Sequence, residues 1–167
     1  TDVKCEGQAI SYTTGVSGDG PFTYTWLLNG SSVGTNSATY TKTSVLTADS
    51  GRYIVTIQGS MACPALRDTI DIDVNKAPQI VTQPNGSSPV CLGNNIILTA
   101  AAVNQTALEW HKQGVGSLTQ SGTSYTSSGS TTADAGNYFV IARAQPACSD
   151  VTSSLFNVVI NIPAIIA

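Results

Sequence analysis

Four cysteines, Cys5, Cys63, Cys91 and Cys148, are the residues of this 167-residue chain whose type and spacing point to covalent chemistry. An even number of evenly placed cysteines reads as a disulfide framework in an oxidising compartment. Zinc would call for a CxxC pair or a CxxH, and neither accompanies them. The single histidine, His111, directly follows Trp110. A nucleophile–histidine–acid site needs partners that the sequence does not place, so His111 reads as a solvent-facing strand residue pointing away from the core, and no catalysis is expected. Asp71 and Asp73 alternate onto one strand face near Asn75. Paired carboxylates are ligands for calcium, the one cofactor this sequence suggests. The plainer reading is a solvated acidic edge that discourages strand-to-strand aggregation. The matching stretch of the second half, Phe156-Asn157-Val158, lacks both carboxylates.

The elements that carry these residues occur twice. Asp49-Ser50-Gly51-Arg52-Tyr53 returns as Asp134-Ala135-Gly136-Asn137-Tyr138, and a Trp precedes each copy, Trp26 and Trp110. The offset is 86 residues for the first cysteine, 84 for the Trp, and 85 for the Gly, the Tyr and the second cysteine. A shared period of this kind means tandem copies of one small domain. The boundary falls in Asn75-Lys76-Ala77-Pro78, where proline ends strand pairing and stiffens the passage. Domains are therefore expected at 1–76 and 77–162. Residues 163–167 read as the start of a further linker or domain, because Pro163-Ala164-Ile165-Ile166 matches Pro78-Gln79-Ile80-Val81. Thr1 to Cys5 likewise matches Ser87 to Cys91, as in an excerpt from a longer array.

Within each copy, short alternating runs are bounded by Gly, Pro, Asn and Ser, the pattern of an all-β sandwich. Ile10, Tyr12 and Thr14 alternate, as do Tyr24, Trp26 and Leu28 before an Asn29-Gly30 hairpin signal. Tyr53, Val55 and Ile57 answer to Tyr138, Val140 and Ala142, and Ile96, Leu98 and Ala100 form a further face. The last strand, around Phe156 to Ile160, matches Ile70 to Val74 only after a one-residue slip, which predicts a bulge or an altered edge. Charged residues make up 10% of the chain, the net charge is −3, and no Lys/Arg cluster occurs. A phosphate backbone would meet no basic stripe, so nucleic acid is not an expected partner. No run approaches the ~20 apolar residues that cross a bilayer, so this segment is not expected to insert into a membrane.

With its core Trp (Trp26, Trp110) and its Asp-x-Gly-x-Tyr corner (Asp49 to Tyr53, Asp134 to Tyr138), each repeat resembles the immunoglobulin fold. That fold places the Trp on the third strand and the Tyr at the start of the sixth, its hydroxyl bonded to backbone just upstream. Here Val55 and Val140 replace the usual core cysteine, and Thr14 and Ala100 hold the facing position. The cysteines lie instead in the turn before the second strand and the loop after the sixth. This arrangement resembles the tandem immunoglobulin-like repeats of large secreted or cell-surface proteins of Bacteroidetes-type bacteria. The resemblance implies an extracellular, non-catalytic structural module: a stalk, adhesin or filament segment whose partners are neighbouring immunoglobulin-like domains of the same or adjacent chains. The alternatives are a module that binds a cell-surface glycan or protein, and a spacer beside a secreted enzyme.

The resemblance also bears on the pairing of the cysteines. Spacing favours one bridge per repeat, Cys5–Cys63 and Cys91–Cys148. Against it, the second and sixth strands of this fold run parallel, so the two cysteines of a repeat fall at opposite ends. A seven-residue strand spans about 23 Å, whereas a bridge needs Cα atoms within roughly 7 Å. Tandem stacking favours Cys5–Cys148, which leaves Cys63 and Cys91 for preceding and following domains. Reduced thiols are the third alternative.

Overall fold

A computed structural model describes residues 1–59 and 63–164 of the chain. Of the expected further linker at 163–167, positions 165–167 lie outside the described residues. The chain divides into two compact units. The first comprises Thr1–Lys76 together with the tripeptide Pro146–Cys148; the second comprises Ala77–Gln145 and the chain from Ser149 onward.

Unit 1 runs through β1 (Asp2–Cys5), β2 (Ile10–Thr13), β3 (Thr23–Leu28), β4 (Ser31–Val33), β5 (Thr39–Lys42), β6 (Gly51–Gln58) and β7 (Leu66–Asn75). One sheet has the order β1-β7-β6-β3-β4, and β2 pairs with β5 in the other. Alternation along β6 buries Tyr53, Val55 and Ile57 while the residues between them stay partly exposed. They pack with Ile10, Trp26, Tyr40, Ile72 and Val74 in the space between the sheets. The hairpin between β3 and β4 turns on Asn29 (φ 50°) and Gly30 (φ 86°), the two positive values that a type I′ turn requires. Strand β1 runs parallel to the end of β7, with Asp2 opposite Ile72 and Cys5 opposite Asn75. β7 pairs with β6 from Leu66 to Ile72 and with β1 from Ile72 to Asn75, so the two partners overlap at Ile72. Asp71 thus stands opposite Arg52 on β6 and exposed Asp73 opposite Val3 on β1, each with a strand partner on one side.

Unit 2 contains β8 (Gln79–Gly86), β9 (Val90–Cys91), β10 (Ile96–Val103), β11 (Ala107–Lys112), β12 (Gly116–Ser121), β13 (Ser124–Ser127) and β14 (Gly136–Arg143). It closes with β15 (Val151–Thr152), β16 (Phe156–Val158) and β17 (Ile160–Asn161). One sheet has the order β13-β10-β8, and the facing sheet β12-β11-β14-β15, with β16 also on β14. Ile96, Leu98 and Ala100 meet Leu108, Trp110, Tyr138, Val140 and Ala142 in its core.

The last strand departs from its counterpart where the sequence slips. In place of one continuous β7 there are three pieces. Ser153 is buried, and its hydroxyl oxygen accepts the Val140 N–H at 2.9 Å. Val159 then breaks the run, and β17 crosses from β14 to pair in parallel with β9. Between the Thr152–Ile141 and Phe156–Tyr138 pairs, Ser153 to Leu155 face only Phe139 and Val140, so the slip is absorbed as one extra residue, the bulge that the sequence predicts.

Candidate functional site

The cysteine turn of unit 1 is built from backbone. After β1 the chain reverses over Cys5 to Gln8, and the Gln8 N–H donates to the Cys5 carbonyl at 3.1 Å. The Glu6 N–H donates to the Asn75 carbonyl (2.8 Å) and the Gly7 N–H to that of Val45 (2.9 Å), so the turn is tied to β7 and to the loop ahead of the sixth strand. Gln8 Oε1 accepts the Cys5 N–H at 2.9 Å. Against this turn lies Pro146–Cys148. Cys5 and Cys148 are joined by a disulfide with their Cα atoms 5.0 Å apart. Asn75 Nδ2 donates to the Pro146 carbonyl at 3.1 Å, and Gln8 Nε2 reaches the Ala147 carbonyl at 3.4 Å. The bridge leaves Cys5 only 8% exposed. Cys63 and Cys91 are free thiols and exposed. The intra-repeat pairs suggested by spacing alone are thus not the ones formed, for the reason strand direction gives.

Both Trp–Tyr constellations lie in the cores. Trp26 and Trp110 donate their indole N–H to the carbonyls of Ser37 (2.9 Å) and Gly122 (3.0 Å). The Tyr53 hydroxyl donates to the Asp49 carbonyl at 3.1 Å, and that of Tyr138 to the Asp134 carbonyl at 2.8 Å. Burial pushes both phenols above their ordinary titration range, so they remain neutral donors. Each corner follows one turn of 3-10 helix, Thr47–Asp49 or Thr132–Asp134. The first is clamped by Asp49. Burial opposes its ionisation, yet Lys42 Nζ at 2.6 Å and the Leu46 N–H at 2.7 Å together hold the carboxyl below its usual range. In unit 2 the Thr131 N–H does most of this for Asp134, at 2.7 Å, and the Thr131 hydroxyl donates to the same oxygen. Lys112 donates to the Ala133 carbonyl instead and lies 5.4 Å from the Tyr138 ring centroid.

His111 corrects the reading from sequence. It does lie on the face of β11 opposite Trp110, but it is 8% exposed rather than solvent-facing. Its cross-strand partner Phe139 covers it, ring on ring at 5.2 Å and 19°. Its Nε2 is 3.4 Å from Glu109 Oε2, and the same oxygen accepts Arg143 Nη2 at 2.7 Å. The Arg143 guanidinium is the main cause that holds the Glu109 carboxyl below its usual range. This histidine is therefore a packed outer-face residue between a ring and an ion pair.

Asp71 meets Arg52 across the strands, Oδ1 accepting Nε at 2.8 Å and Oδ2 accepting Nη2 at 3.0 Å. Both Asp71 carboxylate oxygens are engaged by this fork. Among the described residues, no group of three or more His, Cys, Asp or Glu is placed to hold a metal ion. No helix of the described residues is long and apolar enough to cross a membrane.

No protein-family model matches the chain, and no curated protein is similar to it in sequence. Solved structures are similar to it in fold. An I-band fragment of titin superposes with a TM-score of 0.70 at 16% identity, over 98% of this chain and 63% of that one. The N-terminal eight Ig domains of Down Syndrome Cell Adhesion Molecule give a TM-score of 0.69 at 17% identity, over 95% of this chain and 23% of that one. Four N-terminal Ig domains of a Dscam1 isoform give 0.61 at 15%, over 96% and 43%. This protein spans less than two thirds of each. Its fold is two tandem immunoglobulin-like β-sandwich domains.

Proposed function

We propose that this chain is a non-catalytic structural and interaction module, a two-repeat segment of an extracellular stalk, adhesin or filament of the Bacteroidetes type. The observation that carries the reading is the Cys5–Cys148 bridge, which fastens a loop of the second repeat's sequence into the first unit. A free binding module gains little from a covalent tie between repeats, whereas an array gains a fixed connection that a protease or a local opening does not undo. The bridge also fits an oxidising exterior, since glutathione and thioredoxin keep cytosolic thiols reduced. One of the similar structures is of a cell adhesion molecule, and the proposal gives this chain the same kind of role. The other chemistry-bearing side chains support it by being engaged structurally: His111 by Phe139 and Glu109, Asp71 by Arg52.

Immunogold labelling of intact source cells tests this reading. Label on the surface or on shed fibres is the expected result, and label confined to the cytoplasm would overturn it. A glycan array probed with the purified chain separates the module from a lectin; a specific micromolar hit would favour the binding alternative. In this reading the module works without a cofactor, and calorimetric titration with calcium checks Asp71 and Asp73.

A further inference from the structure

Unit 2 repeats the docking turn of unit 1 and leaves it open. Cys91, Asn94 and Asn161 stand where unit 1 has Cys5, Gln8 and Asn75, each at an offset of 86 residues. The backbone bonds recur one for one. The Leu92 N–H donates to the Asn161 carbonyl at 2.9 Å, the Gly93 N–H to that of Ser130 at 2.8 Å, and the Asn94 N–H to that of Cys91 at 3.0 Å. Cys91 pairs with Asn161 across parallel strands, as Cys5 does with Asn75. The two turns differ in occupancy. Cys5 is covered by Pro146–Cys148, while Cys91 is a free, exposed thiol. Beside it Leu92 and Ile162 are 39% and 69% exposed, where unit 1 carries Glu6 and Lys76. The occupied turn also shows what fits: a loop ending in Ala-Cys, its two preceding carbonyls taken by the Asn and Gln side chains. The chain holds a second such sequence. Met61-Ala62-Cys63 is the counterpart of Pro146-Ala147-Cys148, and its cysteine is the other free, exposed thiol.

We propose that the Cys91 turn of one copy receives the Cys63 loop of a second copy, and that a Cys63–Cys91 disulfide links copies head to tail. The proposal rests on the array reading above and names its partner, another repeat of the same pattern. Turn and loop are different surfaces, so the contact is heterologous and joins copies head to tail, in a ring or an open chain. The chemistry is thiol–disulfide exchange. A low-molecular-weight disulfide such as oxidised glutathione takes two electrons and is released as two thiols; the Cys63 and Cys91 thiols lose their protons and share the new S–S bond.

The test uses two full-length variants, Cys63→Ser and Cys91→Ser, each with one free thiol and an intact Cys5–Cys148 bridge. Alone or mixed, they are incubated in a glutathione redox buffer and resolved on non-reducing gels, with the linked peptides identified by mass spectrometry. The mixed dimer is expected to form about tenfold faster than either homodimer, the preference that two modest hydrogen bonds supply. Asn161→Ala in the Cys63→Ser partner is expected to erase most of that preference. Equal rates for the three dimers, or a preference indifferent to Asn161, would overturn the proposal. Localisation on source cells is read on a different sample, so failure of this pairing and failure of the array reading are told apart.

Discussion

Cys5 and Cys148 are 143 residues apart in sequence, and their Cα atoms are 5.0 Å apart in space. The link between the repeats exposes Lys76. Limited trypsin cleavage after Lys76 is therefore expected to leave one species on a non-reducing gel and two fragments once reductant is added. Fragments that separate without reductant would show that the bridge does not form in solution.

The two core tryptophans are buried to 4% and 0% exposure. Trp26→Ala and Trp110→Ala should each cost about 3–5 kcal/mol, as large-to-small changes in packed cores do. For a domain of this size that approaches the whole stability. Calorimetry should lose one melting transition in each variant and keep the other. Wild-type melting in both variants would contradict the core assignment.

Gly51 and Gly136 hold φ near +142° and +138° at the entry to the tyrosine corners. An added Cβ at Gly51 would lie 2.2 Å from Asn29 Oδ1, and that carboxamide is already fixed to the Ser50 carbonyl and the Arg52 N–H. At Gly136 the nearest atom is the flexible Lys112 Cε, at 3.2 Å. Alanine is strained at both by roughly 1–3 kcal/mol. Gly51→Ala should be the worse of the two, because it also displaces Asn29. Urea titration of the two variants ranks them, and the reverse order would refute the argument.

Acid should loosen unit 1 through Asp49. Its carboxyl is held below the ordinary value of 3.8 in the folded state, so its contribution is present above that pH. The contribution fades as pH falls below 3.8 and the native carboxyl takes up its proton. Asp49→Asn should lower stability at neutral pH by about 1 kcal/mol and flatten the decline between pH 4 and 2. Melting temperatures across that range decide it; a variant whose profile tracks the wild type would clear Asp49 of the effect.

The repeat makes the sandwiches legible in the sequence, because Trp26 and Tyr53 recur at offsets of 84 and 85 within faces that alternate with a period of two. The pairing of Cys5 became legible only when strand direction was set against spacing. What stayed hidden depended on cross-strand neighbours. Phe139 is 28 positions from His111, and nothing in the alternation of β11 says that a ring will cover it. Arg52 similarly reaches Asp71 only through the register of β6 and β7. The slip near Phe156 announced an irregularity, and its place is set by register: the extra residue lies between Thr152 and Phe156, where the Ser153 hydroxyl takes the Val140 N–H.

The bridge also sets a load path. Tension applied on either side of the pair enters at Cys5, crosses the S–S bond and leaves at Cys148, so the chain between them carries none of it. Folded or not, those residues cannot lengthen the molecule while the bond holds. Reduction returns them to the path, and their unfolding would then release a contour length of about 480 Å at ~3.4 Å per residue. While the bond holds, tension applied outside the pair bypasses nearly all of both cores; once it is reduced, the stability of the domains decides how far the chain extends.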